Sequence, residues 1–115
     1  MRILFDHGTP RGLIRQLPEH TVTTAKAMGW EQLSNGALLK AAEDSGFELF
    51  LTTDQRIKYQ QNLAGRKIAI VVLSGTTKWS QVRLHVERIA SAVNDSKPCA
   101  YTETFIPFKP RKPTA

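Results

Sequence analysis

"MRILFDHGTP" (residues 1–10) and "FELFLTTDQR" (residues 47–56) share one design: a short apolar run that stops at an aspartate. In the first, Ile3, Leu4 and Phe5 give way to Asp6. In the second, the run from Phe47 ends at Thr52, Thr53 and Asp54. Working outward, residues 68–73 (IAIVVL) are apolar throughout, the pattern of a strand covered on both faces. Residues 20–25 (HTVTTA) have the β-branched character of a further strand. Helical patterns lie between. Thr9 can cap a helix and Pro10 suits its first position, with Leu13, Ile14 and Leu17 on one face and Pro18 as the stop. Ser34 or Asn35 can cap the next, whose apolar side is Leu38, Leu39, Ala41 and Ala42 and which Gly46 ends. Residues 54–63 form a short helix or turn, broken at Gly65. Over 78–93, Trp79, Val82, Val86, Ile89, Ala90 and Val93 keep the helical period. Residues 100–108 (AYTETFIPF) supply a late edge strand. Alternating strands and helices predict an α/β fold with right-handed crossovers and a mainly parallel sheet of four to five strands.

The chain has 115 residues, enough for one sizeable core, with 41% hydrophobic and 23% charged residues, as in ordinary globular proteins. No apolar run reaches the ~20 residues of a membrane helix. The first residues lack the pattern of a signal peptide, so the expected compartment is the cytoplasm. One cysteine, Cys99, excludes an internal disulfide and a cysteine-based zinc cluster. The net charge of +6 favours an anionic partner such as nucleic acid. Part of that charge, Lys97, Lys109, Arg111 and Lys112, sits among prolines after residue 95. The expected organisation is therefore a domain over 1–95 and a basic, Pro-rich tail over 96–115. That tail serves either to solubilise or to contact nucleic acid.

In open parallel sheets ligands bind beyond the carboxyl ends of the strands, where Asp6 and Asp54 stand. If the two strands are neighbours, the carboxylates converge. Nearby carboxylates repel unless a cation neutralises them, and oxygen ligands of this type suit Mg²⁺ or Mn²⁺. An aspartate after a strand also caps turns, which is the competing reading. The other polar residues carry two readings each. Asn35 is a helix cap or a site residue, and Glu43 is a solvated residue or a third carboxylate. His7 is a loop residue or a ligand, and Ser74 is a turn residue or a phosphate contact. Tyr59, Gln60, Gln61 and Asn62 either satisfy a loop backbone or contact a ribose or base. Trp30 and Trp79 read as core anchors.

"ILFDHGTP", "GWEQLSNGALLKAAEDSGFELFLTTDQ", "YQQNLAGRKIAIVVL" and the Trp-headed final helix, in this order, resemble the PIN-like proteins of the VapC-type toxin superfamily, over about residues 1–95. The resemblance implies a three-layer α/β/α fold and a metal-dependent endoribonuclease acting on RNA, as the toxin of a toxin–antitoxin pair. It also implies a small antitoxin protein as partner and a homodimer. By resemblance, Asp6 and Asp54 are the acidic residues that hold Mg²⁺ or Mn²⁺. The chain departs from the pattern at two places. Asn35-Gly36 replaces an Asp-Glu step, and Arg56 stands where a second aspartate follows the Thr-Asp step. Asn35 is then a neutral ligand or water positioner, Glu43 a replacement third carboxylate, and Arg56, Tyr59, Gln60, Asn62 and Ser74 substrate contacts. The same departures suit a second reading, a non-catalytic domain that binds RNA or a partner protein. Two phosphotransfer readings fit less of the chain. "DHGTP" lacks the second aspartate of haloacid-dehalogenase phosphatases. Asp54 and Ser74 match a receiver domain without its lysine.

Overall fold

The computed structural model describes residues 1–57 and 66–108. Five strands form one sheet: β1 (Arg2–Phe5), β2 (Thr21–Thr24), β3 (Leu49–Thr52), β4 (Ala69–Gly75) and β5 (Tyr101–Ile106), in the order β2-β1-β3-β4-β5. Every pairing is parallel, so the sheet is not merely mainly parallel. Ile3 lies beside Val22 and Leu49, and Leu51 beside Phe5 and Val71. The late strand is present and extends the sheet past residue 95. The basic residues Lys109, Arg111 and Lys112 fall outside the described residues.

The period of two in each strand divides the core between the two faces. Ile3, Phe5, Leu49, Leu51, Val71 and Leu73 point one way, toward Leu13, Leu17, Val82, Ile89 and Val93. Leu4, Phe50, Ile70 and Val72 point the other way, toward Leu38, Leu39, Ala42 and Ile57. A continuous apolar sequence in β3 and β4 is thus what a sheet covered on both sides requires.

The crossovers do not all share one hand. The β1–β2 link passes over the first face and the β2–β3 link over the second, in opposite directions along the sheet, so these two have the same hand. The β4–β5 link runs in the same direction as β2–β3 but packs on the first face, which reverses its hand. This departs from the uniform right-handed expectation, a rule that holds in about 98% of cases. The first face has room for this link. The segment after Pro10 is only a six-residue 3-10 turn, Arg11–Gln16, not the expected helix. It buries Leu13 and leaves most of that face for the later helices to cover.

Those helices are α2 (Trp79–Val82) and α3 (Val86–Asp95), separated by a 3-10 turn, Arg83–His85. The single helix expected over 78–93 is interrupted where His85 leaves helical geometry (φ −122°, ψ 22°). Leu84, in the break, is exposed. Trp79 is not a buried anchor. It lies across Gly12, where a Cβ would sit 2.6 Å from the indole ring. Trp30 is partly buried and meets Phe47 edge-on at 6.2 Å. The helix of the second face, α1 (Asn35–Asp44), has Ser34 as its cap, the hydroxyl accepting from Ala37 N–H at 3.3 Å. It ends at Ser45, and Gly46 follows in the left-handed region (φ 83°). Among the described residues, no helix is long and apolar enough to cross a membrane.

Candidate active site

The strand order reverses between β1 and β3. The link leaving β1 goes to one side and one face, and the link entering β3 arrives over the other face. A crevice opens at the carboxyl end of such a switch point. Asp6 is the residue after β1, its N–H still donating to Leu51 O at 3.2 Å. Its carboxylate is buried, and both oxygens accept hydrogen bonds, Oδ2 only one. Oδ1 accepts from the Gly8 N–H at 3.2 Å and from the Thr9 hydroxyl at 2.6 Å, and Oδ2 accepts from the Thr52 hydroxyl. Thr9 therefore does not cap the following turn. Its hydroxyl is drawn back onto Asp6, within 3.0 Å of Leu51 O.

Thr52, the last residue of β3, is completely buried. While its hydroxyl donates to Asp6, its oxygen accepts from the Asp54 N–H at 3.1 Å. One side chain thus ties the two strand ends, and the two aspartates, together. Gly8 lets the loops close up, since a Cβ there would lie 2.5 Å from Thr53 Oγ1.

The Asp54 carboxylate accepts from the Arg56 N–H at 3.0 Å through Oδ1, with Arg56 Nε 3.5 Å away, and from Asn35 Nδ2 at 2.5 Å through Oδ2. Because Ser34 caps α1, Asn35 is released from the capping role expected of it and reaches Asp54 instead. Burial pushes the Asp54 pKa up. The Arg56 N–H, the Asn35 amide and the Arg56 guanidinium outweigh that and hold it below the usual carboxylate range. Asp54 is therefore ionised at neutral pH. Asp6, His7, Asn35, Asp54 and Arg56 line one open crevice of about 570 Å³.

Two expected participants lie elsewhere. Glu43 is eight residues along α1 from Asn35, about 12 Å of helix. The helix carries it to the opposite, amino edge of the sheet. There its carboxylate accepts from the N–H groups of Lys67 (2.9 Å) and Ile68 (3.4 Å) and faces Arg66 at 3.6 Å. Glu43 anchors the start of β4 and supplies no third carboxylate. Ser74 is inside β4, buried, with its hydroxyl donating to Thr104 O at 3.5 Å. It is part of the β4–β5 seam and not a phosphate contact. Tyr59, Gln60, Gln61 and Asn62 lie outside the described residues.

Sequence reasoning missed Thr52 and gave Thr9 the wrong role. The available signal was a hydroxyl in an otherwise apolar strand: a buried Thr needs a partner, and the nearest acceptor is the carboxylate on the neighbouring strand.

Among the described residues no three His, Cys, Asp or Glu side chains converge as a preformed metal cage. The donor set still fits one hard cation. Mg²⁺ is commonly held by one or two carboxylates together with substrate phosphates, and Asp6 and Asp54 line the same crevice. Comparisons of the chain with protein-family models, with curated proteins and with solved structures return no match.

Proposed function

We propose that the chain is a PIN-like domain of the VapC-type superfamily and acts as a metal-dependent endoribonuclease in the crevice between the ends of β1 and β3. The observation supporting this reading is the junction at Thr52, which brings Asp6 and Asp54 to one crevice at the switch point of a parallel sheet. Asp6 and Asp54 would hold Mg²⁺ or Mn²⁺. When bound, such an ion polarises a phosphodiester and lowers the pKa of an attacking water.

The chain's own residues have the remaining tasks. Asn35 orients the Asp54 carboxylate, and Thr52 holds both aspartates in register. The Arg56 side chain, 74% exposed, is free to bond an RNA phosphate bidentately. Were its contact with Asp54 exchanged for one with phosphate, Asp54 Oδ1 would keep only the Arg56 N–H and would be better placed to hold the ion. The same resemblance supports a small antitoxin protein as partner and a homodimer.

One feature favours a second reading, RNA binding without cleavage. Arg56 neutralises part of the charge at Asp54, and Glu43 does not replace the missing acid. A single assay separates the two. Purified protein with Mn²⁺ is expected to cleave single-stranded RNA, and Asp6→Asn and Asp54→Asn to lower the rate by about 100-fold or more. Equal cleavage by all three proteins identifies a contaminant and ends the ribonuclease reading. RNA binding with no cleavage establishes the second reading.

A further inference from the structure

A second cavity, about 330 Å³, opens on the other side of the end of β1. It shares Asp6 and His7 with the crevice just described, so the two meet over the carboxyl end of β1. Taken as one groove, the two linings run from the end of β2, at Thr24 and Ala25, across β1, to Asp54 and Arg56 beyond β3. From β2 to β3 is two strand spacings, about 10 Å. A single nucleotide step does not cover that length.

The chemistry changes along the groove. The carboxylates of Asp6 and Asp54 occupy the middle. Arg56 stands at one side, and Arg11 and Lys26 stand exposed at the far side. A chain of phosphates suits this order: one phosphate near the carboxylates, shared with a cation, and flanking phosphates on the basic side chains. The far cavity also has an apolar floor in Ala25, which is 1% exposed, and a polar wall in Glu31 and Gln32. Glu31 is unfavourable to a phosphate, and with Asp6 it balances the charge of Arg11 and Lys26. That balance argues against a simple anion pocket and for a whole nucleotide. In such a nucleotide the phosphate would meet the two cations and the exocyclic amino group of the base would donate to Glu31.

We infer that this cavity is a second nucleotide subsite, which takes the residue of single-stranded RNA next to the one held at Asp6 and Asp54. The inference rests on the proposed action on RNA, and its test keeps the two apart. Affinity of a fluorescein-labelled ten-nucleotide single-stranded RNA is measured by anisotropy with Ca²⁺ in place of Mn²⁺, so that a hard cation is present without rapid cleavage, across a salt series, with folding checked by circular dichroism. The Arg11→Ala/Lys26→Ala variant is expected to bind about tenfold more weakly. Its slope of log K against log salt should be shallower by about 1.4, the value for two lost phosphate contacts on a single strand. Arg15→Ala/Lys40→Ala removes the same charge outside both cavities and is expected to stay within about twofold of wild type. Equal losses in the two double variants overturn the subsite, because only net charge would then matter. A loss confined to Arg56→Ala overturns the subsite and leaves action on RNA standing. Folded wild type that binds no RNA overturns both.

Discussion

Thr52→Val is expected to destabilise the fold by about 3 kcal/mol although it changes the shape of the side chain very little. Thr52 is completely buried and its hydroxyl serves two groups at once. Removing it takes a donor from the buried Asp6 carboxyl group, leaving a buried acceptor short of a partner at a cost of about 1–3 kcal/mol. It also leaves the part-buried Asp54 N–H without its acceptor, at a cost of about 1 kcal/mol, the low end of the range for a buried group. The two losses share one site and will not add fully. Thr52→Ser keeps the hydroxyl and should lose about 1 kcal/mol, mainly from the missing methyl. Urea denaturation measures both. Asp6 and the backbone of Asp54 are tied to each other through this hydroxyl. If the proposed ribonuclease reading holds, cleavage by folded Thr52→Val should therefore fall further than its folded fraction does. A Val variant as stable and as active as wild type would show that the junction does not organise the site.

Gly75→Ala is expected to cost about 3 kcal/mol or more and to loosen β5. Gly75 ends β4 with φ at 84°, in the left-handed region. A Cβ there would lie 2.1 Å from the carbonyl oxygen of Ile106 and 3.0 Å from its carbon. Both are backbone atoms of the partner strand, which cannot turn aside as a long side chain can. Relief requires β4 and β5 to part where Thr76 N–H donates to Ile106 O at 3.1 Å. Gly29→Ala separates the two contributions. Its φ is also positive, 76°, yet nothing lies within 4 Å of a Cβ at that position. It should cost only the left-handed strain, about 1–2 kcal/mol. Equal urea midpoints for the two variants would mean that the approach of Ile106 carries no energetic weight.

The strands were legible because burial on both faces leaves a plain sequence signature. Apolar runs around Phe5, Leu51 and Val71 mark three central strands, and the aspartates after two of them mark the carboxyl edge. The helix α1 was legible from Ser34, its apolar stripe and Gly46. Strand order was not, since nothing local to β1 tells which strand it will meet. The turn after Pro10 was misread because Leu13, Ile14 and Leu17 suit a helix and a 3-10 turn equally, and the packing of Trp79 on Gly12 is a long-range fact.

The same division holds in the site. Asp6 and Asp54 could be read from position alone. Asn35 could be singled out but not assigned, because Ser34 and Asn35 competed for one cap and only the folded chain shows which side chain was left free. Glu43 failed because a helix antiparallel to the strands delivers its two ends to opposite edges of the sheet. A residue late in α1 therefore cannot share a site with one at its start.

Manganese is the direct probe of the central claim, that Asp6 and Asp54 form one ion-binding place at the end of β1 and β3. Crystals of the protein grown with Mn²⁺ and a short RNA, and measured at the manganese absorption edge, should show one anomalous peak within coordination distance, about 2.0–2.3 Å, of an oxygen from each aspartate. In that complex the Arg56 guanidinium should have left Asp54 for an RNA phosphate. A well-ordered RNA with no manganese between the two aspartates, or manganese bound only elsewhere, would contradict the claim.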